Sequence, residues 1–124
     1  MWKAMFIAGA GGFIGTCLRF LTGKAAHALC ASAFPWGTFA VNIIGSFIIG
    51  ILFGLAEKTQ LISPAMNLFL ITGFCGGFTT FSSLSDDMFL LLQQRHWLLF
   101  GLYAGLTFAL GLLLVWAGRS LIRG

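Results

Sequence analysis

The sequence predicts an all-α membrane protein of four transmembrane helices, the third broken midway, built as an antiparallel dual-topology dimer. Three observations lead there. The chain is 59% hydrophobic and only 8% charged, with a mean hydropathy of +0.99, so it cannot present the charged coat a soluble domain needs. Its 124 residues accommodate four spans of about 20 residues and little else. The basic residues are also nearly balanced between the two sets of span ends. Residues 1–124 are therefore read as a single transmembrane domain, with no room for a soluble catalytic unit.

Span one is expected from about Ala4 to Leu21. It contains Arg19, runs into further apolar sequence and lacks a small-residue cleavage site, so it reads as a retained helix and not a signal peptide. Span two follows the helix-starting Pro35, from about Trp36 to Ala56, and Glu57 and Lys58 mark its end. Span three begins near Pro64 and continues to about Gln94, too long for one straight crossing. Gly73, Gly76, Gly77 and a hydroxyl-rich stretch interrupt it, and the break is expected there. Span four runs from about Trp97 to Gly118, between Arg95 on one side and Arg119 and Arg123 on the other.

Glycines four apart (Gly11 and Gly15, Gly50 and Gly54, Gly73 and Gly77, Gly101 and Gly105) are spaced to let helix backbones approach closely in lipid. Lys3, Lys58, Arg119 and Arg123 lie at one set of ends, and Lys24 and Arg95, with Arg19 near them, at the other. The positive-inside bias is then only about one charge. A chain so poorly oriented can insert both ways, and its natural closed assembly is a two-fold antiparallel dimer. The net charge of +4 comes from residues flanking the spans, where Lys and Arg meet lipid headgroups, so no nucleic-acid partner is expected. Cys17, Cys30 and Cys75 are scattered without metal or redox spacing and read as small core or loop residues.

The stretch from Gly73 to Asp87, Gly-Phe-Cys-Gly-Gly-Phe-Thr-Thr-Phe-Ser-Ser-Leu-Ser-Asp-Asp, is the most informative. Non-helical backbone at membrane depth is tolerable only when buried in protein or lining a polar cavity. Carbonyls freed there suit a hard monovalent cation, and the half-helix end with the hydroxyls of Ser82 and Ser83 offers donors to an anion. Phe81 stands beside the break, where the positive edge of its ring can stabilise a compact desolvated anion. Asn42, within span two, needs an interior partner and can donate to an anion. Thr38 and Ser46 lie four residues either side of it on the same face, and Thr107 is a hydroxyl within span four. Arg19 is near enough to the span end to snorkel while still attracting anions. Asp86 and Asp87 are either the solvated end of span three or a carboxylate shaping ion access. His27 and His96 are read as loop residues without metal-ligand company. No nucleophile, base and orienter set is brought together, so the chain is not read as an enzyme.

Three blocks of this sequence resemble the Fluc, or CrcB, family of fluoride channels: Gly11 to Phe20, Pro35 to Phe47 and Gly73 to Ser85. The resemblance covers nearly the whole chain. It implies an antiparallel homodimer in the bacterial inner membrane, with two pores that let fluoride leave the cell passively. It also implies a structural sodium ion on the dimer axis, held by backbone carbonyls of Gly76 and Thr79 from both subunits. By position, Phe81 matches the first of two pore phenylalanines in the family's TTFSTFS pattern and Asn42 the pore asparagine. Thr107 matches a hydroxyl of the span-four polar track, Ser82 and Ser83 the paired hydroxyls beside the aromatics, and Asp87 a position where glutamate is frequent. Two departures stand out: Leu84 replaces the second pore phenylalanine, and Gly111 stands where a second span-four hydroxyl is common. The first leaves room for a heterodimer whose partner supplies the aromatic. A small dual-topology drug exporter would need a carboxylate in span one, which is absent, and a non-transporting membrane assembly factor is the other alternative.

Overall fold

A computed structural model describes residues 1–29, 34–58 and 62–123; Cys30 and the side chain of Arg123 lie outside the described residues. The described chain is all-helical, and four of its stretches are long and apolar enough to cross a membrane: Trp2–Leu29, Trp36–Lys58, Pro64–Gln93 and Trp97–Ile122. The protein is a multi-pass membrane protein. The helices are α1 (Trp2–Leu29), α2 (Trp36–Lys58), α3 (Pro64–Asn67), α4 (Gly76–Phe78), α5 (Phe81–Gln93) and α6 (Trp97–Arg123), and a π-helical segment, Leu68–Cys75, joins α3 to α4. The outer spans are longer than the hydropathy pattern suggests: α1 continues past Leu21 to Leu29 and α6 past Gly118. His27 therefore sits in the last turn of α1 and not in a loop.

Local chemistry explains the boundaries. Pro35 precedes α2, and its carbonyl accepts the first helical bond, from the Phe39 N–H at 3.1 Å. Ser63 caps α3, its hydroxyl accepting from the Met66 N–H at 3.2 Å, with Pro64 in the first turn. Past Asn67 the hydrogen bonding widens, so that the Gly76 N–H reaches back five residues to the Ile71 carbonyl. The α5–α6 turn closes with two reaching bonds, His96 N–H to Leu91 O at 2.9 Å and Arg95 N–H to Leu92 O at 3.0 Å. Arg95 adopts φ 61° there, the left-handed conformation that usually falls to glycine after a helix.

The spans pair in two parallel sets. Alternate crossings of the membrane point the same way, and glycine faces let those alternate spans touch. A Cβ on Gly11 or Gly15 would collide with the Phe69 or Phe74 carbonyl, and one on Gly73 with the Ala8 carbonyl, so α1 lies backbone to backbone on the third span. Gly50 meets the Val115 carbonyl, and a Cβ on Gly118 would stand 2.7 Å from the Phe47 carbonyl, so α2 lies likewise on α6. The ion pair Arg119–Glu57 at 2.5 Å and the bond from Lys58 Nζ to the Ile122 carbonyl at 2.8 Å tie the far ends of this second pair. Gly101 and Gly105 depart from the expectation: a Cβ on either meets no atom within 4 Å. Their spacing serves no contact among the described residues of the protomer. The fully enclosed side chains Leu84, Leu91 and Tyr103 form a small core between α5 and α6, with Phe34 and Phe39 packed on it.

Gly11→Ala is expected to lower stability by about 1–3 kcal/mol through overpacking against the third span, whereas Gly101→Ala leaves it at or above wild type. Thermal unfolding of the two variants in detergent checks the contrast.

Candidate functional site

Between α4 and α5 the backbone leaves the helix for two residues. Thr79 has φ −87°, ψ 157° and Thr80 has φ −152°, ψ 127°, both extended. The break thus falls on the threonines. Gly76 and Gly77, expected to interrupt the helix, are helical, and no glycine among the described residues has positive φ. Of the two, Gly77 serves close packing: a Cβ there would stand 2.6 Å from the Gly12 carbonyl.

Each polar backbone group exposed in hydrocarbon costs several kcal/mol, and side chains of α1, α2 and the third span itself meet that cost. The Thr80 N–H donates to Asn42 Oδ1 at 2.9 Å, and Asn42 Nδ2 donates to the Thr80 carbonyl at 3.0 Å. One side-chain amide therefore pairs with both backbone groups of one residue, as a neighbouring strand would. Arg19 Nε donates to the Gly77 carbonyl at 2.9 Å, placing a cation at the C-terminal end of the short helix, where the helix dipole favours it. The expected snorkelling of Arg19 to the membrane surface is not what the side chain does. Thr79 Oγ1 donates to the Cys75 carbonyl at 2.8 Å, and Thr80 Oγ1 accepts from the Ser83 N–H at 3.3 Å, capping α5. Gly45 leaves space on α2 for the Thr79 methyl group, against which a Cβ there would collide.

Two hollows meet at Thr80. On one side an open groove of about 380 Å³ runs between α2, the break and α6, with a polar floor of Asn42, Ser46, Thr79, Thr80 and Thr107 and apolar walls that include Phe81 and Phe108. Phe81 is 70% exposed, at the lip of this groove. Thr107 is only 8% exposed, and its hydroxyl oxygen is buried without a hydrogen-bond partner among the described residues. On the other side a cavity of about 640 Å³ is lined by Arg19, Lys24, His27, Thr38 and Ser83, among others. The break is thus a partition between a neutral groove and a basic cavity.

The predicted residues divide accordingly. Asn42, Thr79, Phe81 and Thr107 share the groove; Arg19, Thr38 and Ser83 share the cavity. Ser82 is exposed, its hydroxyl 3.5 Å from that of Thr80, and lines neither. Asp87 lies apart, in a small hollow with Pro35 and Gln94. It accepts from the Tyr103 hydroxyl at 3.1 Å and hydrogen-bonds Thr38. Asp86 is exposed. Gly76 is exposed on the protomer surface and a Cβ there meets nothing within 4 Å. Leu84, at the position of the absent second phenylalanine, is buried to 3% exposure in the core with Tyr103 while its edge still reaches the groove. Sequence reasoning passed over Tyr103, and it gave Lys24 and His27 no part in a site. The only tyrosine of the chain, set within an apolar span, was the available signal, since a buried phenol needs a hydroxyl partner.

Comparison with known proteins bears on this geometry. The profile of the family described as CrcB-like protein, Camphor Resistance (CrcB), matches residues 6–119. The chain belongs to the CrcB family. Relatives in this family include a protein of Flavobacterium psychrophilum, 42% identical over 121 residues and covering 98% of both chains. Another, of Rhizobium etli, is 41% identical over 99% of this chain and 98% of its own. A third, of Bacteroides fragilis, is 47% identical over 90% of this chain and 89% of its own. Each is named a fluoride-specific ion channel, FluC.

In this CrcB protein, Asn42→Ala leaves the Thr80 N–H and carbonyl unsatisfied inside the membrane, and a loss of about 2–4 kcal/mol is expected. Thermal unfolding in detergent reads the loss, and hydrogen exchange at the Thr80 amide should accelerate while α2 stays protected.

Proposed function

We propose that the protein is a fluoride-selective channel that lets fluoride leave the cell passively across the bacterial inner membrane and so protects it from fluoride toxicity. The observation that carries this reading is the groove at the break, with its row of neutral donors and the exposed Phe81 ring on a membrane-spanning surface. A small anion sheds water only where fixed donors replace it. Asn42 has two amide hydrogens and uses one on Thr80, so the other can serve the ion together with the groove hydroxyls. The edge of the Phe81 ring adds a weak positive rim. The basic cavity beyond Thr80 raises the local anion concentration without placing a charge in the groove itself. The names of the relatives agree with a channel and not an enzyme.

The groove is open on the protomer's flank, and amide and hydroxyl groups are costly against lipid. A second copy inserted in the opposite orientation covers it, which the near balance of basic residues favours, and the two-fold assembly then has two pores. The donor set beside the break also fits a structural sodium ion. The Thr80 N–H that a continuous helix would give to the Gly76 carbonyl goes to Asn42, Thr79 is extended, and Gly76 is uncovered on the surface. Carbonyls of Gly76 and Thr79 from both copies would hold the ion, whose charge would fix the two breaks against each other. Against a drug exporter, α1 carries no carboxylate. A heterodimer would be required only if the chain alone failed to conduct.

Proteoliposomes containing this chain alone should release fluoride, read by a fluoride electrode, and retain chloride. Phe81→Ile keeps the bulk but removes the ring edge, and it should slow fluoride release by at least about tenfold with dimer elution unchanged. Unaltered flux in that variant would refute the role of Phe81.

A further inference from the structure

We infer that Ser46 contacts the permeating anion and helps set its selectivity, in a station that α2 and α6 form opposite Gly111. This rests on the channel reading above. Asn42 and Ser46 stand one turn apart on α2, and Thr107 and Gly111 stand one turn apart on α6; all four line the same groove. Because the helices run parallel, with Gly50 against Val115 one turn further on, the two pairs face each other in step.

Gly111 makes the site. A Cβ there would meet a single neighbour within 4 Å, the Ser46 hydroxyl oxygen at 3.4 Å. The wall of α6 is therefore bare at the height of Ser46, and the space a side chain would fill is open. One turn away the Thr107 hydroxyl is buried without a partner. A hydroxyl enclosed in that way costs free energy unless something in the groove bonds to it.

The Ser46 hydroxyl donates to the Asn42 carbonyl of its own helix at 2.7 Å. Such a bond to the preceding turn is local and weak, and a hydroxyl rotates freely about its C–O bond. An anion offers a stronger, charge-assisted acceptor, so the Ser46 hydrogen turns from the helix to the ion when one arrives and back when it leaves. Asn42, Ser46 and Thr107 then provide neutral donors from two helices, with no charged side chain among the described residues of the lining. The ligand class is a small, hard monoanion that takes hydrogen bonds without a counter-charge.

The test uses the full-length protein in proteoliposomes, with fluoride and chloride release measured in parallel and assembly followed by gel filtration. Ser46→Ala should slow fluoride release roughly tenfold with unchanged elution. Gly111→Ser added to that variant returns a hydroxyl to the same space from the opposite wall, and should restore release to within roughly threefold of wild type. Full fluoride flux in Ser46→Ala would overturn the inference. So would a slow Ser46→Ala that Gly111→Ser does not rescue, because Ser46 would then matter only to packing. A wild-type protein that holds its fluoride sinks the channel reading as a whole, an outcome distinct from either.

Discussion

The two hydrogen bonds between the Asn42 side chain and the Thr80 backbone are the constraint around which the protein is arranged. An interruption in a membrane helix survives only if its freed backbone groups are satisfied within the protein. Here a single amide satisfies both groups of the most extended residue. The surrounding packing brings that amide to it. Gly45 lets Thr79 sit against α2, and the glycine face between α1 and the third span brings Arg19 within reach of Gly77. The same groups that stabilise the break leave it bordered by hydroxyls and amide hydrogens, so the structural solution and the polar groove are one feature.

Charge is distributed unevenly around that feature. The groove has only neutral polar groups, while Arg19, Lys24 and His27 stand on the other side of Thr80. A full positive charge in the groove would bind an anion too firmly to release it, whereas weak neutral donors in sequence permit exchange. The carboxylate of Asp87 is kept away from the groove by Tyr103 and Thr38, and the Tyr103 ring is itself braced edge-on by Phe34 at 5.3 Å. Leu84 lies in this same aromatic cluster, so the leucine at that position contributes packing between α5 and α6 where a ring would have extended the rim.

The sequence made the four spans and the position of the interruption legible because hydropathy and helix-starting residues act locally: Pro35, Ser63 and Pro64 begin helices as their chemistry requires. It identified Asn42 as an interior amide because such a group cannot face lipid. It did not identify the partner of Asn42, since Thr80 is 38 residues away and only the packing brings them together. Arg19 was misread for a similar reason: a cation near a span end normally reaches for water, and nothing within α1 announces the Gly77 carbonyl. The close approach expected of Gly11, Gly15, Gly50, Gly73 and Gly77 is present, but Gly76 and Gly77 do not break the helix; the extended residues are β-branched threonines, whose preference for extended backbone is a signal the sequence carries. Gly101 and Gly105 repeat the packing spacing without a neighbour among the described residues, which shows that spacing alone does not name a partner.

The π-helical stretch from Leu68 to Cys75 has a consequence for how this chain can vary in length. In a helix each residue turns the chain by roughly 100°, so gaining one residue between Pro64 and Thr79 would swing Thr80 away from Asn42 and Gly77 away from Arg19 together. The widened turns already use up the slack through which such a change is usually absorbed. Insertions should therefore be tolerated in the connections between spans and disruptive within this half-span, making the upper limit on its residue count as binding a requirement as any side chain in it.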